Sequence, residues 1–301
     1  MERTEMTEVR AAVDIGTNSM RLLITADGEE LGRYQRVTGL GRGVDATGRL
    51  SDEAIERTVA VLADYGELMR SHGVARARAV ATSASRDARN AGTFLRRAED
   101  SLGVRPEVIT GAEEARLAYT GATSGIGGDG RFLVVDIGGG STEFVWRHEE
   151  SILGVSIDIG SVRLTERVPV SRPATFEEVH SAAGVAEAAF DLAVLPRRTW
   201  SAIGVAGTWT SLAAVAADLP AYDRAVVHGY RLARHAVERL VVRFASLTVE
   251  QTAAIPALDP ARAPVILAGA IVAREAMRHA ELAEITVSEK DLLDGIIASL
   301  G

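Results

Sequence analysis

The sequence predicts an α/β fold built twice over, and three observations carry that prediction. Val13-Asp14-Ile15-Gly16-Thr17-Asn18-Ser19 is matched 122 residues later by Val135-Asp136-Ile137-Gly138-Gly139-Gly140-Ser141. Each copy joins two apolar runs through a turn of small residues, with Met20 to Ala26 following the first and Thr142 to Trp146 the second, which is the pattern of a β-hairpin. The stretches after each hairpin alternate short apolar runs with helical periodicity, as mixed sheets flanked by helices do. At 301 residues the chain exceeds what one core usually serves, so two domains facing one cleft are expected.

Between the two hairpins a helix is expected from about Ser51 to Arg70. Ser51 and Asp52 are its cap candidates, and Ile55, Val59, Leu62 and Leu68 form its apolar stripe. A strand at Ala77 to Ala81, a helix from Arg86 to Leu102, a strand at Glu107 to Ile109 and a helix from Ala112 to Ala122 continue the β/α pattern. Gly125-Ile126-Gly127-Gly128-Asp129-Gly130 reads as a linker, giving domains of residues 1–123 and 124–301. The second half has strands near 131–136, 142–147, 152–158 and 201–206 and is then mostly helical to Met277. A strand at Glu284 to Val287 and a helix from Glu289 to Leu300 end the chain, and that last helix, about 288–301, is a candidate to pack back on the first domain. The whole reads as a duplicated ribonuclease-H-like fold.

Composition removes several functional classes. Hydrophobic residues make up 47% and charged residues 25%, the range of a globular protein with ample core. The apolar runs fall far short of the ~20 residues that cross a bilayer, and the N-terminus is charged, so a cytoplasmic protein without a membrane partner is expected. With no cysteine there is no disulfide, thiolate zinc site or cysteine nucleophile. Arginine supplies 32 of the 33 basic residues, and the single lysine, Lys290, follows Glu289, so the Gly-Lys-Ser/Thr of a P-loop is absent. The net charge of -8 argues against a nucleic-acid partner and leaves room only for a local basic groove. The six histidines are dispersed without metal-ligand spacing.

The chemistry concentrates in the turns. A tight turn after a strand offers converging backbone N–H groups to phosphate, and a carboxylate just before it can hold a metal or its water. Asp14 and Asp136 occupy that place in the two copies. A third small-residue turn, Gly204-Val205-Ala206-Gly207-Thr208-Trp209-Thr210, follows another apolar strand and opens a helix whose N-terminus attracts anions.

Six ordered segments together resemble the exopolyphosphatase and guanosine pentaphosphate phosphatase (Ppx/GppA) family, a branch of the actin, sugar kinase and Hsp70 fold group. They are Asp14 to Arg21, Thr82 to Asn90, Gly111 to Arg116, Asp136 to Glu143, Gly160 to Thr165 and Gly204 to Thr210. The resemblance implies that Glu114 is the catalytic base and that Asp136, with Asp14, holds Mg²⁺, which Mn²⁺ can replace. It implies phosphate binding by Thr17, Asn18 and Ser19 in the first loop, by Gly138, Gly139, Gly140 and Ser141 in the second, by Gly207 and Thr208 in the third, and by Arg86. Arg116 and Arg163 stand between substrate contact and local ion pair. The implied activity is release of orthophosphate from the end of inorganic polyphosphate, with short or medium chains preferred because this is the family's short, two-domain form. Guanosine pentaphosphate is the alternative substrate, and a non-enzymatic, nucleotide-gated module of the actin group is the alternative class. The resemblance allows a homodimer. Two positions depart from the family pattern, Pro264 where an acid is expected and Asp291 where a glycine is common.

Overall fold

The computed structural model describes residues 8–124, 132–196 and 201–301; the expected Gly125 to Gly130 linker lies outside them. The chain forms two compact units, Met1–Thr110 with Leu292–Gly301, and Gly111–Asp291.

The first unit starts as a meander of β1 (Val9–Ile15), β2 (Ser19–Ala26) and β3 (Glu29–Val37). β1 pairs antiparallel with β2 from Val9 opposite Ala26 to Ile15 opposite Met20, and β2 pairs antiparallel with β3. β3 was not expected from the sequence, because an edge strand with a mostly exposed face carries polar residues where a buried strand would alternate. The Asp27-Gly28 turn before it, with positive φ at both residues, is the hairpin signal that marks it. After α1 (Val44–Thr47), α2 (Asp52–Ser71) is capped by Ser51, whose side chain accepts from the Ala54 N–H at 3.2 Å. β4 (Arg76–Ala81) then lies parallel to β1. The helix expected from Arg86 to Leu102 is two helices, α3 (Ser83–Asp87) and α4 (Ala91–Leu102). The break falls where Ala88 is extended and the Asn90 side chain serves the backbone of Leu50, accepting from its N–H and donating to its C=O, both at 2.9 Å. β5 (Glu107–Val108) completes a sheet of order β3-β2-β1-β4-β5. Ala11, Val13, Ile15, Leu22, Ile24, Leu62, Tyr65 and Phe94 share the core.

The second unit contains α5 (Gly111–Thr123), β6 (Phe132–Ile137), β7 (Thr142–His148), β8 (Ser151–Ile157), α6 (Ser161–Arg167), α7 (Phe176–Phe190), β9 (Ser201–Val205), α8 (Ala206–Ala216), α9 (Arg224–Val227), β10 (Arg231–Ala233), α10 (Arg234–Ala245), α11 (Val249–Ala253), α12 (Ile266–His279) and β11 (Glu284–Val287). Its sheet order is β10-β11-β9-β6-β7-β8. β6 is antiparallel to β7 and parallel to β9, and β9 is parallel to β11. The run β8-β7-β6-β9-β11 therefore repeats β3-β2-β1-β4-β5, with β10 added antiparallel at the edge. That shared order of a three-strand meander followed by parallel strands makes both units ribonuclease-H-like, the duplicated architecture of the actin group. β6 is buried at all six positions, and α12 fills the core beside it with Ile266, Leu267, Ile271, Val272 and Met277.

The units divide between Thr110 and Gly111, ahead of the boundary expected after residue 123, because α5 packs on β6, β7 and β8. The last helix, α13 (Leu292–Ala298), is shorter than expected and packs on β1 and β2 of the first unit. There Arg33 Nη2 donates to both carboxylate oxygens of Asp294 at 2.9 Å. Among the described residues no helix is long and apolar enough to cross a membrane.

Candidate active site

In the first unit β1 and β2 are joined by Gly16, Thr17 and Asn18. The Gly16 N–H donates to the Ser19 carbonyl at 3.1 Å, and a Cβ on Gly16 would stand 2.9 Å from that same oxygen, so the turn tolerates only glycine. The Thr17 and Ser83 hydroxyls are 2.7 Å apart, and the Ala84 N–H donates to Thr17 Oγ1 at 3.3 Å, which locks this loop to the start of α3. Asn18 and Ser85 are buried, yet both ends of the Asn18 amide and the Ser85 hydroxyl lack a hydrogen-bond partner among the described residues. Buried polar groups are normally bonded, so these two side chains hold unspent capacity that an anion's oxygens would use. Arg86, at the C-terminal end of α3, donates from Nη1 to the Ile109 carbonyl at 3.0 Å. Asp14 is buried and accepts on Oδ2 from Arg21 Nε and Nη2 at 2.9 and 2.7 Å. Arg21 stands opposite it on β2 and counters its charge, which competes with the metal role expected of Asp14.

The second unit repeats the turn with more glycine. The Gly138 N–H donates to the Ser141 carbonyl at 3.0 Å, and Ser141 is buried. The loop carbonyls hold the first turn of α6: Gly138 accepts from the Ser161 N–H at 3.1 Å, and Gly139 accepts from those of Val162 and Arg163 at 2.8 and 3.0 Å. A Cβ on Gly160 would come within 2.6 Å of the Gly139 carbonyl, so glycine there lets the loop and helix close on each other. Arg163 Nη1 lies 3.9 Å from Asp158 Oδ1, a long ion pair.

Where the first hairpin sets Asp14 against Arg21, the second sets Asp136 against Glu143. Residues directly opposite on antiparallel strands share a face, so two carboxylates, 6% and 1% exposed, lie side by side. Ser156, opposite Glu143 on β8, donates from Oγ to Glu143 Oε1 at 2.7 Å. Glu143 was not singled out from the sequence, and the contrast of its register with Arg21 is the signal that marks it. α5 begins beside this pair, since a Cβ on Gly111 would sit 3.0 Å from that of Ser156. On the first turn of α5 two adjacent acids part ways. Glu113 takes a two-pronged ion pair with Arg116, at 3.0 and 2.9 Å. Glu114 is turned inward and is 8% exposed.

At the third turn Ala206 adopts a positive φ of 71° and leads into α8. The guanidinium of Arg262, a buried residue of the 3-10 turn Pro260–Arg262, lies against Gly207, where any Cβ would overlap it. A cation thus covers the helix end expected to take phosphate, and no feature of the sequence links two residues so far apart. Thr208 is buried behind it. Pro264 lines a small apolar pocket with Leu164, Val168 and Leu267, and Asp291 is buried just before α13. Among the described residues no group of three or more histidine or carboxylate side chains is gathered closely enough to hold a metal.

The model of the Ppx/GppA phosphatase family matches residues 25–300. Exopolyphosphatase 2 of Mycobacterium tuberculosis is 44% identical, with 96% of this chain and 98% of that protein covered. The guanosine-5'-triphosphate,3'-diphosphate pyrophosphatase of Photobacterium profundum is 34% identical over 70% of this chain and 44% of its own. The crystal structure of the Aquifex aeolicus Ppx/GppA family member superposes with a TM-score of 0.81 at 34% identity, covering 97% of each chain. Two repeated small-residue turns, a buried acid at the start of α5, the family model's match over most of the chain and likeness along nearly the whole of Exopolyphosphatase 2 and of the Aquifex protein together place this chain in the Ppx/GppA phosphatase family, as a phosphatase.

Proposed function

We propose that this phosphatase is an exopolyphosphatase that releases orthophosphate from the end of inorganic polyphosphate, with Glu114 as general base. The observation that carries the assignment is the divergence of Glu113 and Glu114. An acid in a helix's first turn is ordinarily a solvated partner of the helix dipole, as Glu113 is. Glu114 instead is buried, which an unused carboxylate does not do cheaply, on a helix that packs against the strands of Asp136 and Glu143. In the reaction a water oxygen attacks the terminal phosphorus while its proton passes to Glu114. The bond from that phosphorus to the bridging oxygen breaks, leaving orthophosphate and a chain one unit shorter. In the first unit Thr17, Asn18 and Ser85, and in the second Ser141 and the turn N–H groups not already bonded within the turn, are assigned to phosphate oxygens.

The residues present fit Mg²⁺ or Mn²⁺. Asp136 and Glu143 are like charges side by side, an arrangement that a cation between them would relieve, and Mg²⁺ is commonly held by one or two carboxylates with water and phosphate completing its shell. Bound there, the ion would supply charge stabilisation to the transferring phosphoryl group. Asp14 is the weaker donor because Arg21 already occupies one of its oxygens.

The full-length likeness to an exopolyphosphatase supports polyphosphate as substrate, and preference for short or medium chains is proposed with it. Guanosine pentaphosphate is the second reading, favoured by the likeness to the Photobacterium enzyme, which covers less of both chains. The test is phosphate release by purified protein from tripolyphosphate, long-chain polyphosphate and guanosine pentaphosphate. Glu114→Gln should fold normally and lose about 10²- to 10⁴-fold in turnover. Retention of more than half the wild-type rate removes Glu114 from the mechanism. Activity should disappear in EDTA and return with Mg²⁺ or Mn²⁺, and full activity in chelated buffer refutes the metal.

A further inference from the structure

Many arginines of the first unit are neutralised where they stand. Arg33 is tied to Asp294, Arg78 to Glu107, Arg97 to Glu56 and Arg21 to Asp14. Arg42, Arg49, Arg57 and Arg89 differ: all four are exposed, and none forms an ion pair among the described residues. Glu56, the acid next to Arg57 in sequence, pairs with Arg97 instead.

These four gather on one stretch of backbone, Thr38 to Leu50. Arg57 Nε donates to the Thr38 carbonyl at 3.2 Å. Arg42 folds back over Gly39, where a Cβ would meet its Nε at 2.6 Å. Arg89 Nη2 donates to the Thr47 carbonyl at 2.8 Å, and its guanidinium lies over Gly48. Arg49 sits between Gly48 and Leu50, whose N–H and C=O are both held by Asn90. The same stretch is bonded to the first phosphate loop. The N–H groups of Thr38 and Gly39 donate to the Asn18 carbonyl at 3.0 and 2.9 Å, and that of Gly41 donates to the Thr17 carbonyl at 2.8 Å. A Cβ on Gly41 would overlap the Thr17 methyl, so glycine brings the stretch into direct contact with the loop.

Four like charges left uncompensated around one segment repel one another, and in a chain of net charge -8 carboxylates to quench them are not scarce. Their positive field, anchored through rigid backbone to a phosphate loop, suits a polyanion longer than the loop itself can hold. We propose that Arg42, Arg49, Arg57 and Arg89 form an accessory site for the trailing phosphates of polyphosphate, the units beyond those gripped by the first loop. The proposal rests on the polyphosphate reading and adds a determinant of chain length to it. Guanidinium groups on a flexible polyanion give affinity that grows with the number of phosphates reached and falls with salt.

Arg42 and Arg49 make no side-chain hydrogen bond among the described residues, so R42Q/R49Q removes charge without cutting a structural contact. Two measurements are paired: anisotropy with labelled long-chain polyphosphate and with tripolyphosphate, without added metal and across a salt series, and phosphate-release kinetics on the same substrates. Long-chain affinity should weaken about tenfold, with the slope of log K against log salt shallower by roughly one to two. The ratio of long-chain to tripolyphosphate KM should rise with it, and R89Q should move the same ratio in the same direction. Unchanged long-chain binding, equal weakening for both lengths, or no polyphosphate binding by the wild type overturns the accessory site. Charge-dependent long-chain binding by a wild type that releases no phosphate upholds the site and sinks the exopolyphosphatase assignment instead.

Discussion

Glu113 and Glu114 are neighbours of identical chemistry, and the turn of one helix sends the first to the surface beside Arg116 and the second inward. Their variants should differ accordingly. Glu113→Gln breaks an exposed pair at i,i+3, costing about 0.3–0.5 kcal/mol, and should leave phosphate release within about twofold of wild type. The same contrast separates Asp14 from Asp136, since one faces an arginine and the other faces Glu143. Glu143→Gln should fold, retain its hydrogen bond from Ser156 and require markedly more Mg²⁺ for half-maximal rate. A metal titration superimposing on that of the wild type would show that Glu143 serves only to fix the strand. Sequence inspection found the two aspartates because they recur in a motif. It missed Glu143 and Arg262, because strand register and a buried guanidinium against Gly207 exist only once the chain is folded.

The elements divide in the same way between what periodicity exposes and what it hides. The hairpins, α2, α5 and β11 were legible because each carries an unbroken apolar pattern bounded by caps or small residues. β3 was not, since an edge strand open to solvent carries polar residues on much of its length, and the α3–α4 break was not, since it depends on Asn90 finding Leu50 some 40 residues away. Asn90→Ala leaves both groups of Leu50 without that partner and should cost about 1–3 kcal/mol, read as a lowered urea midpoint. An unchanged midpoint would mean that water replaces the amide fully. At α7 the capping box of Thr175 and Glu178 gives a pH-dependent prediction. The Thr175 N–H, then the hydroxyl and N–H of Ser171, hold the Glu178 carboxylate down to about 2 from an ordinary value of 4.5. A depressed folded value stabilises above pH 4.5 and loses that contribution as pH falls towards 2. The Tm advantage of wild type over Glu178→Gln should therefore be full at pH 6 and shrink steadily below pH 4.5, and a gap that widens on acidification would contradict the cap.

Across the whole molecule, connectivity matters as much as contact, because the second unit is inserted between two parts of the first. Removing Leu292 to Gly301 uncovers β1 and β2, takes away buried Leu292, Leu293 and Ile296 at about 1.5–3 kcal/mol each, and deletes the carboxylate that receives Arg33. Trp146 and Trp209 belong to the second unit, so tryptophan fluorescence should report an unshifted urea transition while far-UV circular dichroism acquires an earlier one. Coincident transitions by both probes would show that α13 stabilises the entire chain equally. The return of α13 also sets an order of events at the ribosome. The strands of the first unit are made before the second unit, yet the helix that covers β1 and β2 is made only after the whole of Gly111–Asp291 has emerged. The nascent chain must therefore carry an unfinished apolar sheet face while a complete second unit folds behind it, so the stage most exposed to aggregation, and most in need of chaperone protection, is the one in which the first unit waits for α13.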